Sequence, residues 1–366
     1  MDRAASKIRV LVVDDSVVAR RMVARVIDGT ADMTVAATAA NGEIALAKLS
    51  LHDFDAVVLD VEMPKMGGLE TLSGIRATHP SLPVVMFSSL THRGAEITLD
   101  ALSLGANDYV TKPTAKSPGE AEAWVASELV PKIRAIGRAP SVASRPPGAK
   151  TSPLPPRVAT RPPSSPVAAI AIGCSTGGPR ALQTILPRLP GDLPVPVFIV
   201  QHMPPVFTRL LAERLDGVSE VSVVEAQDGA LAEPGTAYVA PGDFHLEVHD
   251  EGSRSRLVLT RDPHENSCRP SVDVLFRSLA RVFGGRVLAA VLTGMGKDGL
   301  EGSRSLVEGG AHVIAQDEAS SVVWGMPSYV VRAELAYSIA TPTEIARALT
   351  QAVSQPGNEA AFGGRT

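Results

Sequence analysis

The run Gly173-Cys174-Ser175-Thr176-Gly177-Gly178-Pro179 sets a serine in G-x-S-x-G spacing between an apolar stretch and a helical pattern. Glycines let the chain turn sharply, and proline suits the first turn of a following helix. Ser175 would then stand exposed at a strand end as an acyl-transfer nucleophile. Free N–H groups in that helix's first turn favour a developing negative charge. A glycine-rich turn that only starts a helix or cradles a phosphate fits the same letters. A serine needs a base, and His202 in Gln201-His202-Met203-Pro204 follows the apolar run Val195–Val200. The base needs an orienting carboxylate. Asp298 offers one in Thr293-Gly294-Met295-Gly296-Lys297-Asp298-Gly299, after the apolar run Arg286–Leu292. Nucleophile, base and carboxylate at three strand ends point to serine hydrolysis. Two alternatives compete. The order Ser-His-Asp is not that of an α/β-hydrolase, which places its histidine last; the late candidate, His312, sits in the apolar run Ala311–Ala315 and reads as a buried strand residue. Cys174 could supply a thiol, but as the neighbour of Ser175 on a strand it would face the other way.

A second set of chemistry-bearing residues occupies the N-terminal third. Asp14 and Asp15 follow the apolar run Ile8–Val13, Asp60 follows Ala56–Leu59, Ser88 follows Val84–Phe87, and Lys112 follows Asp108–Val110. Each alone is an ordinary turn or cap residue. Together, at the strand ends of one parallel sheet, they would converge on a single edge. Three carboxylates are hard oxygen donors suited to Mg²⁺ with water and a phosphoryl oxygen completing its shell. A lysine and a hydroxyl would hold the other phosphoryl oxygens, and Asp60 would be the nucleophile that carries the phosphoryl group.

The elements that must position these residues are strands alternating with helices. Helical spacing covers Ser16–Ile27, Gly42–Ser50, Gly68–Thr78, Arg93–Ser103 and Glu120–Ile136, with Thr34–Thr38 as a further short strand. Continuous apolar strands between amphipathic helices predict a parallel sheet covered on both faces, here a flavodoxin-like doubly wound domain over residues 1–136. Residues 137–166 change character: nine of thirty are proline, five are lysine or arginine, and none is acidic. Such a segment cannot bury apolar surface and is expected to be an extended linker. The α/β rhythm returns over residues 167–353, a second parallel-sheet domain. Its strands are Val167–Ile172, Val195–Val200, Arg286–Thr293 and Ala311–Gln316, and its helices Pro179–Leu186, Val206–Leu215, Ser271–Phe283 and Gly299–Glu308. Thr236–Ala240, His245–Val248 and Leu257–Thr260 read as shorter, antiparallel strands. Residues 354–366 read as a frayed tail.

Composition limits the function classes. Of 366 residues, 45% are hydrophobic and 20% charged, with a net charge of −4, which gives nucleic acid no electrostatic footprint. Two cysteines, Cys174 and Cys268, without a CxxC or a Cys/His cluster in sequence, make neither a disulfide framework nor a zinc motif. No stretch approaches a membrane span or a signal peptide. A soluble, cytoplasmic protein is expected, with no direct membrane insertion.

Residues 8–125 resemble the response-regulator receiver domain. The likeness runs through Asp14-Asp15, Leu59-Asp60-Val61-Glu62-Met63-Pro64, Ser88 and Tyr109-Val110-Thr111-Lys112-Pro113. It implies phosphorylation at Asp60 by a chemotaxis histidine kinase, Mg²⁺ held by Asp14, Asp15 and Asp60, and a switch formed by Ser88, Tyr109 and Lys112. Residues 167–350 resemble the catalytic domain of the protein-glutamate methylesterases of bacterial chemotaxis. The carriers are the Ser175, His202 and Asp298 runs and Arg269-Pro270-Ser271-Val272-Asp273. That resemblance implies a Ser175, His202, Asp298 triad supported by Thr176 and the Met295 N–H, with no cofactor at this site. It implies methyl-ester hydrolysis on the cytoplasmic helices of methylated chemoreceptors, and deamidation of glutamine by the same acyl chemistry. Arg269 would contact receptor glutamates or serve in an ordinary ion pair. The competing classes are a small-ester α/β-hydrolase and a phospho-switched adaptor without catalysis.

Overall fold

The computed structural model describes residues 7–114, 117–137, 166–252 and 254–354. The chain divides into two compact units, between Lys150 and Thr151. The proposed linker and tail lie, but for their end residues, outside the described residues.

The first unit alternates strictly. Its strands are β1 (Ile8–Val13), β2 (Met33–Ala39), β3 (Ala56–Asp60), β4 (Val84–Ser88) and β5 (Asp108–Thr111), and its helices α1 (Val17–Asp28), α2 (Gly42–Leu49), α3 (Gly68–Thr78), α4 (His92–Ser103) and α5 (Pro118–Gly137). All strand pairs are parallel, in the order β2-β1-β3-β4-β5. Every residue of β3 and β4 is buried, which is why these strands read as unbroken apolar runs rather than alternating ones. The chain reverses its direction of travel across the sheet between β1 and β3, and the crevice at such a point lies outside the carboxyl ends of the strands. Asp14 and Asp60 stand at those two ends.

The second unit contains β6 (Ala169–Cys174), α6 (Gly178–Ile185), β7 (Val197–Gln201), α7 (Phe207–Asp216), β8 (Ser222–Glu225), β9 (Thr236–Val239), β10 (His245–Glu251) and β11 (Arg254–Thr260). It continues with α8 (Val272–Phe283), β12 (Val287–Val291), α9 (Leu300–Glu308), β13 (His312–Gln316), α10 (Met326–Arg332), β14 (Ser338–Ala340) and α11 (Pro342–Val353). Seven parallel strands run in the order β14-β13-β12-β6-β7-β9-β8, and β10 and β11 form a separate antiparallel hairpin. The segment expected as an antiparallel strand at Thr236–Ala240 is instead β9, a parallel member of the main sheet beside β7. Ala237, Tyr238 and Val239 are buried, so both faces of the strand are covered, and Tyr238 stacks on Phe198 of β7 at 6.0 Å. Helix α8 buries Val272, Leu275, Phe276, Leu279 and Phe283, a stripe at helical spacing. Ser278 on the same helix receives the Val248 N–H of β10 at 3.0 Å. That packing fixes the position of the N-terminus of α8, which the site below uses. The switch point falls between β6 and β12, the strands that lead to Ser175 and to Asp298.

Candidate active site

The β6–α6 turn is built from backbone constraints. Gly177 has φ 81°, a conformation open to glycine and strained for other residues. Ser175 N–H donates to the Thr293 carbonyl at 3.0 Å. The Ser175 carbonyl accepts from Gly178 N–H at 2.7 Å and from Gln201 Nε2 at 3.1 Å. The loop after β12 presses on the serine from the other side. A Cβ on Gly294 would meet the Ser175 Cβ at 2.8 Å and Met326 Sδ at 2.3 Å, so only glycine lets this loop approach. Thr293 Oγ1 donates to the Thr176 carbonyl at 2.8 Å, which ties Thr176 to the same loop. Met295 is partly exposed beside it.

Strand register brings the second residue in. Cys174 pairs with Gln201 across β6 and β7, and His202 N–H donates to the Cys174 carbonyl at 3.2 Å. Ser175 and His202 are thus the first residues past paired positions at one sheet edge. Val291 pairs with Gly173, which brings the loop after β12 to that edge as well. His202 Nε2 lies 2.8 Å from Asp298 Oδ2. An ionised carboxylate only accepts, so in the neutral ring Nε2 carries the hydrogen and Nδ1 keeps the lone pair. Cys268 Sγ lies 3.5 Å from that Nδ1.

Asp298 is almost wholly buried and heavily bonded. Its Oδ1 accepts from Ser271 Oγ at 2.8 Å, Asn266 Nδ2 at 3.0 Å and Asp273 N–H at 3.1 Å; its Oδ2 also accepts from Val272 N–H at 2.7 Å. Its carboxylate therefore sits at the positive end of α8, where an anion is stabilised. Ser271, the N-cap of α8, makes no side-chain cap bond to its own helix, because its hydroxyl serves Asp298. Burial works against the Asp298 charge, yet His202 first, then Val272 and Ser271, hold the carboxyl well below its usual range. Burial also opposes charge on His202, but Asp298 and then Cys268 outweigh it and lift the ring's pKa from 6.5 to about 10. Asp273 is raised to about 6, by burial and then by the Asp298 charge, against hydrogen bonds from Gly302 N–H and Asn266.

The remaining candidates separate cleanly. Cys174 is buried with its thiol toward the Val200 carbonyl, and burial holds it protonated. His312 lies at the start of β13, paired with Leu288, the opposite end of the sheet from Ser175. It is half-buried rather than buried, packs edge-on against Tyr337 at 4.4 Å, and burial lowers its pKa. Arg269 commits its guanidinium to Asp243 and to the Arg261 and Asp262 carbonyls, the ion-pair arrangement among its two sequence readings. Sequence reasoning missed Asn266, Cys268 and the roles of Ser271 and Asp273. Buried His245 was also missed: its Nδ1 accepts the Ser271 N–H at 3.2 Å, and its Nε2 donates to the Pro263 carbonyl at 3.1 Å. Ser271 and Asp273 carried a legible signal, polar residues opening an apolar helix. Asn266 and Cys268 lie in an irregular loop with no periodicity to flag them.

In the first unit, carboxylate oxygens of Asp14, Asp15 and Asp60 lie within 4.8 Å of one another. Lys112 Nζ is ion-paired to Asp14 Oδ2 at 3.0 Å and to Asp60 Oδ2 at 2.8 Å. Burial raises the Asp60 pKa to about 6, with the Lys112 ammonium opposing and the Asp14 charge adding to the rise. Three clustered carboxylates, Asp15 exposed among them, are hard oxygen donors that fit a small divalent cation. Ser88 Oγ donates to the Gly94 carbonyl at 3.1 Å. Tyr109 is buried, and its carbonyl accepts from Lys132 Nζ at 2.7 Å.

Comparison with known proteins agrees with this division. Residues 170–349 match the CheB methylesterase family, and residues 10–121 match the response regulator receiver domain. A protein-glutamate methylesterase/protein-glutamine glutaminase of Trichodesmium erythraeum is 45% identical over 349 residues, 95% of this chain and 99% of the relative. One from a Nocardioides species is 48% identical over 333 residues, 90% of this chain and 91% of the relative. The crystal structure of the Thermotoga maritima CheB methylesterase catalytic domain aligns with TM-score 0.50 at 41% identity, covering 50% of this chain and 98% of that one. Among the described residues no helix is long and apolar enough to cross a membrane.

Proposed function

Since the chain belongs to the protein-glutamate methylesterase/protein-glutamine glutaminase family, we propose that Ser175, His202 and Asp298 hydrolyse glutamyl methyl esters on chemoreceptor helices under control of Asp60. The observation that carries this reading is the His202–Asp298 hydrogen bond at the sheet edge where Ser175 also emerges. Ser175 Oγ attacks the ester carbonyl carbon and passes its proton to His202 Nδ1, the ring nitrogen that Asp298 leaves free. Asp298 fixes the tautomer and stabilises the imidazolium. The Met295 N–H, one residue past the Gly294 that abuts Ser175, helps bind the oxyanion, a donor worth ~10²–10³ in rate. The intermediate collapses to an acyl-serine as His202 returns the proton to methoxide, releasing methanol. Water attacks the acyl carbon, His202 takes its proton, and glutamate leaves as Ser175 is reprotonated. A glutamine side chain follows the same course with ammonia as the leaving group.

In the regulatory half Asp60 accepts the phosphoryl group from a histidine kinase. Asp14, Asp15 and Asp60 would hold Mg²⁺, which when bound neutralises charge on the incoming phosphoryl oxygens. Lys112 lies against Asp60 to bind another of those oxygens, and Ser88 and Tyr109 report the change. We assign residues 1–136 to the receiver, 137–166 to the linker and 167–353 to the esterase.

The direct test measures methanol release from membranes carrying methylated receptor, with wild type and Ser175→Ala. Wild type releases methanol and the variant does not; equal release refutes the nucleophile. Rates for the full chain, the full chain with phosphodonor and Mg²⁺, and residues 167–366 test the control. The second and third should exceed the first, and three equal rates refute it.

A further inference from the structure

The acyl-transfer scheme leaves one group at this site without a task. Cys268 Sγ stands 3.5 Å from His202 Nδ1, the ring nitrogen that Asp298 does not bond. A zinc ion with Zn–N near 2.0–2.1 Å and Zn–S near 2.3 Å in tetrahedral array separates its nitrogen and sulfur ligands by about 3.5 Å. The two donors therefore already stand at the spacing of one tetrahedral edge. The other ring nitrogen is bonded to a buried carboxylate, the support that metal-binding imidazoles ordinarily have. That carboxylate is itself locked by Ser271, Asn266 and the first backbone N–H groups of α8. Sulfur, ring nitrogen and carboxylate oxygen all lie within 4.8 Å of one another.

We propose that His202 and Cys268 form a seat for a thiophilic divalent cation of the Zn²⁺ class. Asp298, hydrogen-bonded to Nε2, orients the imidazole, and water or Ser175 Oγ fills the positions that remain. The thiolate selects against Mg²⁺, which belongs with the oxygen donors of Asp14, Asp15 and Asp60. The ion would occupy the lone pair that has to receive the serine proton. Bound cation and ester hydrolysis then exclude one another, and the esterase is reversibly inhibited by zinc. This last consequence rests on the triad proposed above; the metal seat does not.

Co²⁺ titrated into the full chain under reducing conditions, with excess Mg²⁺ covering the carboxylate cluster, reads the seat directly. A thiolate-to-cobalt charge-transfer band in the near ultraviolet is expected, displaced by Zn²⁺. The other cysteine, Cys174, is fully buried and cannot supply it. Cys268→Ala and Cys268→Ser should each lose the band, with folding checked by circular dichroism, and His202→Ala should weaken it. Zn²⁺ should lower wild-type methanol release at least ~10-fold, a chelator should restore it, and Cys268→Ala should need at least ~10-fold more Zn²⁺ for the same loss, the scale of a missing metal-site partner. No band in the wild type, or a band that survives in folded Cys268→Ala, overturns the proposal. Labelling of Ser175 by an activated phosphonate separates the two readings. Labelling without a cobalt band sinks only the metal seat, whereas a band without labelling sinks only the triad.

Discussion

Asp298→Asn puts the largest demand on the site for the smallest change in shape. The wild-type carboxylate accepts three hydrogen bonds at Oδ1, from Ser271, Asn266 and Asp273, and two at Oδ2, from Val272 and His202. Asparagine keeps one oxygen and turns the other into a donor. Facing its NH₂ toward the Oδ1 position would set it against three donors, so the oxygen goes there and the NH₂ points at Val272 N–H and His202 Nε2. His202 must then accept at Nε2 and carry its hydrogen on Nδ1, the nitrogen that should take the serine proton. The base is present but in the wrong tautomer. The comparable replacement in another serine hydrolase costs ~10⁴ in kcat, and a loss of ~10³–10⁴, about 4–5.5 kcal/mol of barrier, is expected here. Methanol release under substrate saturation measures it, with a phosphonate probe to show that Ser175 remains accessible. A variant within ~3-fold of wild type, less than about 0.7 kcal/mol of barrier, would refute the reasoning, because it would mean that the His202–Asp298 bond sets no tautomer.

Four other outcomes follow from the structure. The base must be neutral to accept a proton, and the His202 pKa is lifted from 6.5 to about 10, so kcat/KM should climb with pH through neutrality toward about pH 10; a rate flat above pH 7 would contradict this. The same shift favours the folded state fully below pH 6.5, a contribution that is lost as pH rises through about 10, which urea unfolding midpoints across that range would register. Gly294→Ala would drive a Cβ into Met326 Sδ and Ser175 Cβ, both under 3.0 Å; thermal unfolding should show a loss of ~1–3 kcal/mol together with slower esterase turnover. Asp60→Asn should keep basal methanol release and lose all response to a phosphodonor, measured side by side with wild type.

Much of this was legible because fully buried parallel strands write themselves as apolar runs with polar, chemistry-bearing residues at or just past the end. Asp60, Ser88 and Lys112 at the ends of β3, β4 and β5, and Ser175 and His202 after β6 and β7, were found that way. Strand pairing was not legible. Thr236–Val239 looks as fit for a hairpin as for the main sheet, and only its contact with β7 decides. Strand β8 is half exposed and β14 is three residues long, too little pattern to stand out. Helix α11 did carry a readable signature, a Thr341–Glu344 capping box with Pro342 at the first helical position inside it. The supports of Asp298 were least visible. Asn266 reaches it from an irregular loop, and Ser271 and Asp273 act through a helix end whose direction depends on how α8 packs against β10.

Strand β6 lies between β7 and β12, and those neighbours are made at very different times. During synthesis residues 169–202 supply the Ser175 hydroxyl and the His202 imidazole together, while the Asp298 carboxylate sits 96 residues beyond His202. Until Val287–Val291 leave the ribosome, the middle strand of the sheet has one open edge, and until Asp298 follows, the N-terminal N–H groups of α8 lack its carboxylate. A growing chain therefore holds an alcohol and a ring without a relay between them. On the proposed triad, a chain ending before Asp298 would carry Ser175 and His202 without the carboxylate that orients the ring, and would be inactive.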